Sequence, residues 1–217
     1  MELYIVRHGQ SESNAGLEID DPALTQTGRL QARLAGEALK NVRFDKVYVS
    51  HLKRAVQTAA EILSAQNAEN VLEVLPELAE CSSRDHVARE ETLRSLWPRM
   101  TVGGLQTRPF ENDAARAAWC LETCVYRNAY TGDLPVTKHT DEGDQRENGL
   151  NVLIVCHGMF NAHLIGQLVH FPFDKNMVVS QYNACINRFQ LYTVNGVRRI
   201  RFRSFNNTAH LPEELLT

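Results

Sequence analysis

The chain has 217 residues, 43% of them apolar, and a formal net charge of −3. That length and apolar share suit one globular domain with a sizeable core and exclude a disordered chain. The charge supplies no general field for nucleic acid, and no stretch approaches the roughly 18 apolar residues of a membrane span, so a cytosolic protein that binds neither is expected.

The run Leu3 to Val6 reads as a buried strand that ends abruptly in Arg7, His8 and Gly9. Ligands of open α/β sheets bind at such strand ends. Arg7 there needs an anionic partner, which a phosphate would supply, and Gly9 either lets the backbone approach an anion or takes a positive φ. Three residues alone fit equally well a rim arginine paired with a carboxylate and a hydrogen-bonded edge histidine.

From Leu24 to about Lys40 the apolar spacing predicts a helix, with Thr25 as its N-cap. Phe44 to Val49 is a second strand, and Ser50 can cap a helix running through Leu63. Arg54 then falls in the first turn, where its charge adds to the positive end of the helix dipole. Val71 to Val74 is a short third strand, with Glu80 in the loop beyond it.

Residues 81–148 read as a cap-like insertion. Two helices are expected there, near 85–97 and 112–130, stopped by Pro98 and Gly132, followed by an exposed polar loop over 140–149. Arg84, His86 and Arg89 could read a second anionic group on a substrate, but a solvated helix start is favoured for them. Val152 to Val155 returns to a buried-strand pattern and ends in Cys156-His157-Gly158, repeating the design of the first strand. A helix over 160–169 follows, then two strands, 184–193 and 197–205, joined by a tight turn at Asn195-Gly196. Arg199, Arg201 and Arg203 share one face of the last strand, as a solvated sheet face does.

Five cysteines, Cys81, Cys120, Cys124, Cys156 and Cys185, are an odd number without zinc-ribbon spacing, so reduced thiols are expected, with no disulfide framework and no structural metal. Cys156 beside His157 suggests a nucleophile, but neighbours on a strand face opposite ways, which favours a core thiol. Cys120 and Cys124 share one side of a helix as packing residues.

Taken together, the ends of the chain resemble the histidine phosphatase superfamily, phosphoglycerate mutase-like branch. The resemblance rests on Arg7-His8-Gly9-Gln10-Ser11 with Asn14, Leu24-Thr25 with Gly28 and Gln31-Ala32, and Ser50 with Arg54-Ala55, Gln57-Thr58-Ala59. It continues through Leu78 and Glu80, Val155 to Gly158, and Asn183, Asn207 and His210-Leu211. It implies one domain over 1–217, a three-layer α/β/α sandwich with a mostly parallel sheet, and an antiparallel hairpin at one edge.

By that resemblance His8 is the nucleophile, Arg7, Arg54, His157 and Asn14 line a phosphate pocket, Gly158 belongs to substrate binding, and Glu80 is the proton donor. The chemistry agrees. A dianionic phosphate repels attack and an alkoxide leaves poorly, so hydrolysis needs cations, a neutral nucleophile and an acid. No metal or cofactor is required, and the expected partner is a phosphorylated small molecule. Phosphoglycerate mutases carry an arginine, histidine, tyrosine, glycine run after the acid, where this chain has Cys81-Ser82-Ser83-Arg84-Asp85-His86. A phosphoric monoester hydrolase of the histidine acid phosphatase type is therefore expected. A mutase and a silent domain that binds phosphorylated ligands or protein partners are the alternatives.

Overall fold

A computed structural model describes residues 1–68, 72–83, 86–130, 149–171, 179–195 and 197–217. Period-two alternation in the apolar strands organises it. In β1 (Glu2–Arg7), Leu3 and Ile5 face one way and Tyr4 and Val6 the other; all four are buried. The same alternation recurs in β2 (Lys46–Val49) and β5 (Asn151–Cys156). A sheet apolar on both faces must be covered on both.

Seven strands form that sheet, in the order β4-β3-β2-β5-β1-β6-β7. The first five in this order run parallel, and β6 (Ile186–Val194) and β7 (Val197–Asn207) add the antiparallel hairpin. Asn195 takes φ 50° in its turn. On one face, Tyr4, Val6, Val49 and Val155 pack with residues of helices α1 (Gln26–Ala38), α2 (Lys53–Ala65) and α3 (Glu90–Leu96). On the other, Leu3, Ile5, Ile154 and Cys156 pack with α4 (Asp113–Leu121) and α6 (Gly158–Leu168). This is the three-layer sandwich. Among the described residues no helix is long and apolar enough to cross a membrane.

Several details differ from expectation. Met100–Val102 forms β4, an unanticipated edge strand beside β3 (Leu72–Val74), too short to give a periodic signal. The helix expected near 85–97 begins only at Glu90, where Glu90 and Glu91 complement the helix dipole. The expected helix near 112–130 is present, capped by the Asn112 side chain, with a π turn over Glu122–Tyr126 before α5 (Arg127–Tyr130). The helix after β5 starts at Gly158, two residues early. Thr25 caps α1 as expected, accepting from the Gly28 N–H at 3.0 Å. Ser50 does not cap α2. Asp21, from the loop before α1, accepts the Lys53 N–H at 2.8 Å instead. Arg84, Gly132 and residues 140–148 lie outside the described residues.

Gly9 does not take a positive φ, one of the two alternatives expected of it, and a Cβ there would lie 2.3 Å from the carbonyl oxygen of Gly28. Gly28 is equally constrained, since its Cβ would sit 1.9 Å from the Gln10 carbonyl oxygen. The two glycines let the head of α1 press on the loop that carries His8. Gly28→Ala should therefore lower stability by about 1–3 kcal/mol, despite alanine's better helix propensity, because both clashing atoms are backbone. Urea unfolding of the variant checks this through a lower midpoint.

Candidate active site

The register of the parallel pair builds the site. Arg7 of β1 lies beside Cys156 of β5, and the His8 N–H donates to the Cys156 carbonyl at 3.0 Å. Both strand ends therefore deliver their His-Gly pairs to the same edge, and the rings of His8 and His157 lie 5.0 Å apart. The head of α2, directly beyond β2, brings Arg54 to them. A cavity of about 470 Å³ opens there, lined by Arg7, His8, Asn14, Arg54 and Glu80 among others.

His8 is 3% exposed, and its Nδ1 lies 2.7 Å from the Gly9 carbonyl oxygen. A carbonyl only accepts, so Nδ1 carries the proton and Nε2 keeps its lone pair. Arg54 Nε donates to that Nε2 at 3.3 Å. Burial first, then the charges of Arg54 and Arg7, hold the imidazole well below its ordinary pKa, so it is neutral. Burial is the larger cause and the neighbouring cations the smaller.

Arg7 donates through Nη1 to the Gln181 carbonyl oxygen, while its Nε is buried without a partner among the described residues. Burial lowers the pKa of Arg7 and Arg54, and the carboxylate of Glu80 opposes that for both. Gly158 is absent from the cavity lining; its contribution is room, since a Cβ there would meet Arg7 Nε at 3.2 Å.

His157 is fully buried, with Nε2 2.8 Å from Ser50 Oγ and Nδ1 without a partner among the described residues. Ser50 is thus a positioning residue for the second histidine. Burial leads, followed by Arg54 and His8, in holding His157 well below its ordinary pKa. Asn14 turns Oδ1 to Ser11 and to Asn183 Nδ2, at 2.9 and 3.3 Å, and Asn183 also donates to the His8 carbonyl at 3.0 Å.

Glu80 docks on the head of α6. Its Oε1 accepts the N–H groups of Cys81 at 2.9 Å and Phe160 at 3.1 Å, and Oε2 accepts that of Met159 at 3.3 Å. Behind it lies Arg116, 1% exposed, which no sequence signal identified. This guanidinium donates to the carbonyls of Glu77 and Ala79 and stacks 4.0 Å over the Phe160 ring. It holds the chain that leads into Glu80.

Asp20 and Asp21, which were not anticipated as site residues, also line the cavity, as does His86. His86 is not on a solvated helix start: its ring faces Asp20 at 3.3 Å and Asp21 at 3.6 Å, and its carbonyl contacts buried His51 at 2.7 Å. Arg89 is exposed, as expected. Cys156 is a core thiol hydrogen-bonded to Asn161, and Cys120 of α4 and Cys124 of the π turn pack in the core on the same side of the sheet.

Residues 3–204 match the model of the histidine phosphatase superfamily (branch 1). A probable phosphoglycerate mutase of Photorhabdus laumondii is 26% identical over 201 residues, covering 87% of this chain and 84% of that protein. The adenosylcobalamin/alpha-ribazole phosphatase of Salmonella typhimurium is 30% identical over 183 residues, 79% of this chain and 81% of that protein. Among solved structures, a mycobacterial glucosyl-3-phosphoglycerate phosphatase complexed with VO3 superposes with a TM-score of 0.64 at 22% identity, covering 95% of this chain and 99% of that one.

Three buried histidines stay neutral in the folded state: His8, His157 and His51, the last lowered to about 4 chiefly by burial. An unfolded histidine takes up its proton near pH 6.5, so each favours unfolding increasingly as pH falls below that value, by up to about 1.4 kcal/mol per pH unit. For His51 the loss levels off near pH 4. Urea unfolding should show the chain less stable at pH 5 than at pH 7 by at least about 2 kcal/mol.

Proposed function

The chain belongs to the histidine phosphatase superfamily, and on that premise we propose that it is a metal-independent phosphatase hydrolysing a small phosphomonoester through a phosphohistidine at His8. The observation that carries this reading is the pair of bonds fixing His8. Nδ1–H is committed to the Gly9 carbonyl, and the lone pair of Nε2 sits against a guanidinium. A neutral nucleophile beside fixed cations is what a dianionic ester requires.

In the first step Nε2 attacks phosphorus in line, the N–P bond forms as the ester P–O bond breaks, and the leaving oxygen takes its proton from Glu80. Arg7 Nε, buried and without a protein partner, and Arg54 donate to the phosphoryl oxygens, and His157 lends a further donor. In the second step water attacks phosphorus, the Glu80 carboxylate takes its proton, and Nε2 leaves. Splitting one substitution into two lowers each barrier. Asn14 borders the phosphate pocket, and Gly158 acts through the space it gives Arg7.

Hydrolysis is favoured over a mutase because the chain from Cys81 to His86 lacks the run that mutases carry after the acid. The mutase reading is supported by the Photorhabdus relative, which covers most of the chain. Phosphate release from a panel of phosphomonoesters in EDTA tests the proposal. Turnover should persist in the native protein and fall by at least about 1000-fold in His8→Ala, since covalent catalysis has no other nucleophile there. Interconversion of phosphoglycerates without phosphate release would establish the mutase instead.

A further inference from the structure

A second cluster of reactive side chains lies behind Glu80, built from three elements that are remote in sequence. Cys81 opens the 3₁₀ turn Cys81–Ser83, Asp113 is the first residue of α4, and His163 is on α6. All three are half-buried, and one ligand atom from each lies within 4.8 Å of the other two. A tetrahedral zinc ion, with bonds of about 2.0–2.3 Å, holds its ligand atoms roughly 3.5 Å apart. Closing the cluster to that geometry takes shifts of about 1 Å, within the reach of side-chain rotation.

Two features distinguish the cluster from a chance gathering. The His163 imidazole makes no hydrogen bond or ion pair among the described residues, although it is half-buried beside a thiol and a carboxylate. Asp113 is held by Arg116, whose Nε and Nη2 both bond Oδ1, at 3.1 and 2.8 Å, leaving Oδ2 free of that pair. Carboxylates that ligate a metal are themselves oriented by hydrogen bonds of this kind. Arg116 opposes a dication by its charge, and a thiolate with the carboxylate offsets it.

We propose that Cys81, Asp113 and His163 form a site for a divalent transition metal, zinc by the softness of its donors, with solvent in the fourth position. The site is separate from the phosphate pocket and takes no part in the reaction. Arg116 Nη2 also reaches the Cys81 sulfur, at 3.9 Å. Binding exchanges the thiol proton for the metal: the S–H bond breaks, the proton passes to solvent and sulfur bonds the cation. Because the Cys81 N–H also holds Glu80, at 2.9 Å, the metal would fasten the turn carrying Glu80 to α4 and α6. No local spacing announces the cluster, since 32 and 50 residues separate successive ligands.

Titration of the full chain with Co²⁺ tests the site by absorption spectroscopy. The expected result is one equivalent of Co²⁺ bound, with sulfur-to-cobalt charge transfer and tetrahedral d–d bands, displaced by Zn²⁺. The other four cysteines are buried, so a thiolate band from the folded protein reports Cys81. Cys81→Ser should lose the charge-transfer band, and His163→Gln should weaken binding at least tenfold. Native protein without a charge-transfer band, or the same band in folded Cys81→Ser, overturns the proposal.

Discussion

Parallel pairing of β1 with β5 in one register is the constraint on which the rest of the site depends. Each strand is an apolar run closed by His-Gly, and pairing Arg7 with Cys156 sets the two histidines side by side at the sheet edge. A slip of one residue would turn every strand side chain to the other face and bury the wrong set. Both faces are covered, so the packing that drives folding also fixes the register. Backbone hydrogen bonds then carry the arrangement outward, through the His8 N–H to Cys156 and the Ala184 N–H to the His8 carbonyl.

Around that pair a buried polar framework holds loops that apolar packing alone would leave free. Thr58 accepts the Gly9 N–H at 3.0 Å, Gln31 accepts that of Gln10 at 2.7 Å, and Gln57 accepts that of Leu24 at 2.7 Å. All three side chains are buried, so losing any one leaves an unsatisfied donor, at a cost of about 1–3 kcal/mol. Ser50 and Arg116 do the same for His157 and for the segment around Glu80. The charged groups are positioned before any phosphate arrives, which is the condition for strong electrostatic stabilisation of a transition state.

Much of this was legible in the sequence. The strand-to-His-Gly runs, the amphipathic helices α1 and α2 and the Asn195-Gly196 turn are local signals, and each produced the expected element near its expected bounds. Ser50 misled because a serine beyond a strand reads as a cap, whereas its hydroxyl goes to His157, which is 107 residues away. Asp21, which holds the head of α2, and Arg116, behind Glu80, carry no local signature; only the tertiary fold brings them to their partners. β4 escaped notice because three residues are too few for a period, and its place depends on β3 beside it. The Gly9–Gly28 contact joins two elements, so neither glycine announced its purpose alone.

Rapid-quench trapping of a phosphoenzyme tests the central claim most directly. With a turned-over phosphomonoester labelled in its phosphoryl group, label should appear on the protein within the first turnover as an acid-labile, base-stable adduct that maps to His8. His8→Ala should carry none. Label on another residue, or steady hydrolysis with no phosphorylated protein at any time, would contradict a phosphohistidine at His8.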